Sequence, residues 1–183
     1  MSKLQYKLLA IIMTGVVIVV FGIIYFTQQQ SLRIGANDPQ IQIAEDSAAA
    51  LDADSVPESF MNGKVDISNS LAPFVIIYDK SGEVVGGTGY LDGKIPIVPL
   101  GVLENSKGKD YNFVTWQPKS GVRIASVSVS AKNYYVLSGR SLKEVEKRID
   151  LLFNYVAFGC AFTTSLVLFG VLIYPRVSLS KKR

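Results

Sequence analysis

Two uninterrupted apolar runs, one near each end, constrain this 183-residue chain more than any other feature. Residues 8–26 and residues 151–174 contain no charged side chain. About 20 apolar residues suffice for a helix to cross the hydrocarbon core of a bilayer. The polar stretch between the runs, residues 27–150, is long enough to bury a core of its own. The expected architecture is therefore a two-pass membrane protein holding one domain on one side. A short end (1–7) leads into the first transmembrane helix (8–26), then the domain (27–150), the second transmembrane helix (151–174) and a basic tail (175–183).

Charge predicts which side. Lys3 and Lys7 precede the first run; Arg176, Lys181, Lys182 and Arg183 follow the second, and neither end holds an acid. All 15 acids and the other 13 of the 19 basic residues lie between the runs. Short Lys/Arg-rich flanks stay cytoplasmic. Both termini are expected in the cytoplasm and the domain outside it, in the plasma (inner) membrane of a prokaryote. The first run is longer than a signal-peptide core, and Gln28, Gln29 and Gln30 follow it where a small-residue cleavage site would stand, so an uncleaved anchor is expected. The basic balance thus belongs to topology. No basic stripe with interleaved aromatics runs through the domain, and no nucleic-acid partner is expected.

Residue types narrow the chemistry. The chain has no histidine and one cysteine, Cys160, inside the second apolar run, where it reads as a small packing residue. That removes the usual zinc, haem and Cys/His sites, so no metal, cofactor or catalytic residue is expected. Asp79, Glu83 and Asp92 resemble acid/base carboxylates only in composition; Asp79 has a simpler role, satisfying turn amides ahead of Gly82. Gly86-Gly87-Thr88-Gly89 opens no helix and is not a phosphate loop.

The domain reads as α+β. A helix over 39–51, with Asp38 as its cap and Pro39 in its first turn, precedes strands over 74–78, 84–90, 111–117, 122–130 and 134–138. A short helix over 102–107 interrupts them, and 118–121 makes a hairpin turn. Hairpin links argue for one antiparallel five-stranded sheet with flanking helices. The last helix is the best marked. Ser141 and Glu144 have the spacing of a capping box, and Glu144 and Arg148 are an i,i+4 pair. Leu142, Val145, Ile149, Leu152 and Val156 form a heptad-like stripe. No Gly or Pro separates this helix from the second apolar run, so the two are expected to be continuous until Pro175 stops them, roughly 50 Å later. Arg140, beside Ser141, is placed to report sheet movement or to make a surface ion pair.

The run Phe74-Val-Ile-Ile-Tyr-Asp-Lys-Ser-Gly82 resembles the first hairpin of PAS-like extracytoplasmic sensor domains of the Cache group. The strand Val122-Arg-Ile-Ala125 and the exit Tyr135-Val-Leu-Ser-Gly-Arg-Ser-Leu-Lys-Glu-Val-Glu146 are similar to ectodomains of membrane histidine kinases. The resemblance implies a sensing fold, ligand-gated in many relatives, whose concave sheet face lines the cavity. Only residues 175–183 follow the second run, and no phosphoacceptor histidine exists, so any transmitter is expected on a separate chain.

On this reading Arg123, Trp116, Tyr90 and Tyr135 are the candidate ligand-binding residues. A mid-strand arginine can clamp a carboxylate; equally, it can point outward or pair with an acid. The aromatics can stack on a ligand or fill the core, and Tyr134 and Tyr135 must face opposite sides. Arg140, Ser141, Leu142, Glu144, Val145 and Ile149 are the candidate signal helix. Ala157/Ala161 and Gly159/Thr163 are small-xxx-small pairs suited to a helix seam. The expected function is a sensor-like or regulatory accessory protein. Its partners would be the membrane, a second copy or a separate membrane or cytoplasmic signalling protein, and a small-molecule ligand. The alternative is a structural or assembly subunit of an envelope complex with the domain as a docking module.

Overall fold

The computed structural model describes residues 3–180; Lys181, Lys182 and Arg183, which carry much of the expected terminal charge, lie outside the described residues. The chain divides into two units. One holds the two apolar helical arms, up to Leu32 and from Lys147; the other is Arg33–Glu146.

The arms belong to α1 (Lys3–Gly35) and α4 (Lys143–Ser180). Both are long and apolar enough to cross a membrane, and no residue of either apolar window is buried inside the chain. Helix α1 runs on past the apolar segment because Gln28, Gln29 and Gln30 are good helix formers. Helix α4 does not stop at Pro175; proline removes one backbone donor, which a long apolar helix absorbs. In α4 the half-buried positions Ile149, Leu152, Val156, Gly159, Thr163 and Val167 step by three and four. In α1 the matching positions are Ala10, Thr14, Val17, Phe21 and Tyr25. The Phe21 ring rests on Gly159, where an added Cβ would come within 2.8 Å of it, and Tyr25 meets Phe153 edge-on at 5.8 Å. Helix α4 thus packs against α1 of the same chain at Gly159 and Phe153. Gly159 and Thr163 are taken up in that seam, while Ala157, Ala161 and Asn154 are exposed.

In the Arg33–Glu146 unit, α2 (Asp38–Asp52) follows the first arm after a two-residue turn. Asp38 is the first residue of α2 and not its cap; its carboxylate favours the helix N-terminus through the dipole. The main sheet is antiparallel, five-stranded and ordered β3-β2-β7-β6-β5, from β2 (Phe74–Asp79), β3 (Val84–Gly87), β5 (Asn112–Lys119), β6 (Val122–Ser130) and β7 (Tyr134–Ser141). Two short strands, β1 (Val65–Asp66), which pattern reading missed, and β4 (Gly89–Tyr90), pair in parallel beside it. The strand expected over 84–90 is thus split. Gly87, at φ +148° with Val75 O only 2.6 Å from where a Cβ would sit, lets the chain leave the sheet at Thr88. Strand β5 continues through Pro118, tolerable because β5 is an edge strand with a bulge between Trp116 and Lys119.

Alternation sends side chains to two faces. One carries Phe74, Ile76, Tyr78, Ile124, Tyr135 and Leu137, closed by Ile67, Val98 and Leu103 from the connecting segments and the short α3 (Leu100–Glu104). The other carries Val75, Ile77, Val127, Val129 and Val136, covered by Ala44, Ala48 and Leu51 of α2. Phe74 is wedged between glycines: a Cβ on either Gly89 or Gly139 would lie 2.5 Å from its ring. Gly139→Ala is expected to cost about 1–3 kcal/mol through overpacking, read as a lowered thermal midpoint of the full chain in micelles; an unchanged midpoint would show that Phe74 relaxes freely.

Candidate functional site

A tightly fastened place in the Arg33–Glu146 unit is where β7 becomes α4. Strand β7 ends at Ser141 and α4 begins at Lys143, so Leu142 is the whole joint. The Leu142 N–H donates to the Arg123 carbonyl at 2.8 Å, carrying the β6–β7 ladder one residue into the joint. The Ser141 hydroxyl, on a strand residue paired with Ile124, accepts the Lys143 N–H at 3.3 Å. The Glu146 N–H donates to the Leu142 carbonyl at 2.8 Å, closing the first helical turn.

Side chains reinforce that joint. Leu142, 9% exposed, packs with Ala36, Ala125 and the half-buried Val145. Ala36 belongs to the turn between α1 and α2, and Ala125 is on β6. The Arg123 guanidinium donates to the Glu146 carboxylate, an ion pair whose side chains remain 44% and 41% exposed. Arg140 Nε donates to the Leu71 carbonyl at 3.2 Å. One short stretch of β6, Arg123–Ala125, thus fastens both the start of α4 and the turn that follows α1.

The four candidate ligand residues are not brought together. Arg123 lies on the α2 side of the sheet with Ala125 and is engaged with Glu146. Trp116 and Tyr135 lie on the opposite face, far apart. Trp116 pairs with Ile124 and Tyr135 with Ser130, which separates them by about 20 Å along β6. Tyr135 is fully buried beneath Lys80, whose Nζ is 4.2 Å from the ring centroid. That ammonium donates to Ser130 Oγ (3.1 Å), the Ala131 carbonyl (2.6 Å) and the Tyr134 carbonyl (3.0 Å), tying the β2–β3 turn to the β6–β7 turn. Trp116 and Val114 face inward and Phe113 and Thr115 outward; the Trp116 Nε1 is buried with no hydrogen-bond partner among the described residues. Asp79 holds its turn as expected, with Oδ1 accepting the Ser81 N–H (2.8 Å), the Ser81 hydroxyl (2.6 Å) and the Glu83 N–H (2.9 Å). These bonds, that from the Ser81 hydroxyl foremost, lower its pKa.

Tyr90 lines a different feature, an open cleft of about 360 Å³ bounded by Lys64, Asp66, Ser68, Asn69, Tyr90, Asp92 and Gly93. The Lys64 ammonium stands 5.3 Å from the Tyr90 ring centroid. Asp66 accepts the Ser68 N–H (2.9 Å) and hydroxyl (2.5 Å) on Oδ1 and the Asn69 amide (2.8 Å) on Oδ2. Those donors, the Ser68 hydroxyl foremost, hold its carboxyl at about 2. Asp92 receives both Lys119 contacts, 2.9 and 2.8 Å. Asp92-Gly93 is a two-residue turn with φ of +50° and +82°, the primed type that joins hairpin strands. The Asp66-x-Ser-Asn69 run was the available sequence signal for this wall, since aspartate collects turn amides two residues on. Among the described residues no three His, Cys, Asp or Glu side chains gather to hold a metal ion.

No protein-family description, curated protein or solved structure matches this chain.

Removing Arg123 and Glu146 singly and together should give a coupling of only about 0.2–1 kcal/mol, because both side chains are well solvated; a larger coupling would mean the pair closes away from water. Asp66 titrates below its unfolded value, so its turn is fully supported above about pH 4 and loses that support as pH falls towards 2. The Asp66 carboxyl carbon, followed by NMR, is expected to titrate near 2; a midpoint near 4 would mean the Ser68 and Asn69 bonds do not form in solution.

Proposed function

We propose that this chain is a membrane-anchored, non-enzymatic regulatory protein of the sensor-like class, with a PAS/Cache-like domain outside the cytoplasm. Binding at that domain is passed into the membrane through α4. The observation that carries the reading is the joint at Leu142. A strand feeds a helix through one residue, and that residue is bonded to the neighbouring strand and packed on it. A displacement of β6 has no loop in which to dissipate before it reaches α4. The cluster formed by Ala36 and Leu142 extends the same displacement to the turn after α1, so the two apolar helices share one mechanical root. The antiparallel five-stranded sheet with flanking helices supports the PAS/Cache comparison in strand number and sense. The paired Lys/Arg-rich ends and the exposed apolar windows support a membrane setting with the domain outside. The receiver is a separate membrane or cytoplasmic protein, or a second copy engaging a surface other than the α1–α4 seam.

A docking module in an envelope assembly is the second reading. Both faces of the sheet are closed by the chain's own side chains, which favours a partner at the margin over a ligand beneath the sheet. Strand β5 offers that margin. Its outer edge pairs with no strand among the described residues, and Tyr111 and Phe113, rings 5.0 Å apart, are 37% and 49% exposed beside it.

Transmission is testable in native membranes with Phe21→Cys and Gly159→Cys, paired in a Cys160→Ser background, as a reporter of the seam. Ala125→Leu, which wedges the root, is expected to change the disulfide-forming rate of that pair severalfold while the protein still accumulates. An equal rate in both backgrounds would leave the Leu142 joint as a structural link only.

A further inference from the structure

The cleft beside Tyr90 is built more firmly than a surface dent. One wall is the β1–β4 parallel pair, closed by Val65 N–H to the Thr88 carbonyl (2.7 Å) and Ile67 N–H to the Tyr90 carbonyl (2.9 Å). A second is the Asp66 turn with its three donors. A third is the Asp92-Gly93 turn, held by Lys119 from the end of β5. Walls fixed in this way lose little freedom when a ligand arrives, which removes a main cost of binding. The volume, about 360 Å³, falls at the small end of the range for ligand sites.

Charge decides the class of ligand. The lining carries Asp66, Asp92 and Lys64, and Lys119, outside the lining, pairs with Asp92, so the charges about the cleft nearly cancel. A carboxylate or phosphate would meet two aspartates, and an organic cation would meet the Lys64 ammonium and an Asp92 whose charge Lys119 already balances. A neutral ligand meets neither penalty. What the lining offers such a ligand is many hydrogen-bonding groups beside one aromatic wall. Asp66 is engaged by its own turn and offers a fixed acceptor edge at the cleft wall. Lys64 supplies donors, and the half-buried Tyr90 ring supplies an apolar surface for a C–H face with a hydroxyl at its tip. We infer that this cleft binds a neutral polyhydroxylated ligand, a saccharide of one or two rings. The site also has an exit toward the joint, because the Lys119 that holds Asp92 pairs with Val122, the neighbour of Arg123. Binding at the cleft goes beyond the transmission reading and does not require it.

The test uses the full chain in lipid nanodiscs prepared without glycoside detergent, titrated with N-acetylglucosamine and with cellobiose and followed by saturation-transfer NMR and calorimetry. Glutamate and putrescine serve as the anionic and cationic probes. At least one of the two sugars is expected to bind at millimolar concentration or better, with Tyr90→Ala weakening it roughly tenfold or more. Lys64→Gln, at a solvated position, is expected to weaken it severalfold with an unchanged thermal midpoint, so the result stands even if Tyr90→Ala loosens the β1–β4 pair. Binding of neither sugar, preference for glutamate or putrescine, or sugar binding indifferent to both substitutions would overturn the assignment. Each of those outcomes is read without the Phe21–Gly159 disulfide pair, so the failure of one idea is not the failure of the other.

Discussion

Strand β7 carries the structure. It lies at the centre of the sheet, between β2 and β6, and its residues from Tyr135 to Gly139 are buried. It then becomes α4 without a connecting loop. A strand buried on both faces cannot shift register by one residue without exchanging its two side-chain sets. Tyr135 and Leu137 would leave one core while Val136 left the other. The starting direction of α4 is therefore set by the same packing that stabilises the sheet.

The two layers against that sheet are built differently, and the difference follows from side-chain size. On the α2 side, Ala44, Ser47 and Ala48 let a helix approach a floor of valines and isoleucine closely. On the other side the floor includes large side chains, Phe74 and Tyr78 among them, and irregular segments fill the space above it. Tyr78 is fully buried and escapes an unpaired hydroxyl by donating to the Pro96 carbonyl at 3.0 Å; burial raises its pKa. Serines occupy the remaining floor on β6, where Ser126 returns its hydroxyl to the Val114 carbonyl at 2.9 Å. The backbone satisfies these hydroxyls, whereas Trp116 Nε1, Tyr135 OH and Ser138 Oγ are buried without a hydrogen-bond partner among the described residues.

Much of the element order was legible because it rests on local patterns. The β2 and β6 runs, the Asp79 turn and the final helix each carry their signal within a few residues. The departures came where a distant contact outweighed a local cue. Gly86-Gly87-Thr88-Gly89 reads as part of one strand, but Gly87 turns the backbone out of the sheet and β4 finds β1 instead. Pro118 reads as a turn residue, yet an edge strand has no neighbour to miss its N–H. Arg123 reads as a ligand clamp, a solvated residue or one half of an ion pair; which acid it meets, Glu146, is 23 positions away and invisible to spacing. The cleft around Tyr90 draws on segments 64–69 and 90–93, which no periodicity links.

The sequence alone determined the number of apolar helices, the charge asymmetry about them, the absence of histidine, and the α+β character of the intervening region. Those properties depend on composition and on neighbours within a turn or a strand, so the chain order already contains them. Only the tertiary structure decided which face of β5 points inward, that Arg123 holds Glu146, that Gly159 of α4 meets Phe21 of α1, and which side chains meet around Tyr90. Each of these is a choice between partners far apart along the chain, and it is made by which packing buries the most apolar surface while leaving the fewest polar groups unpaired.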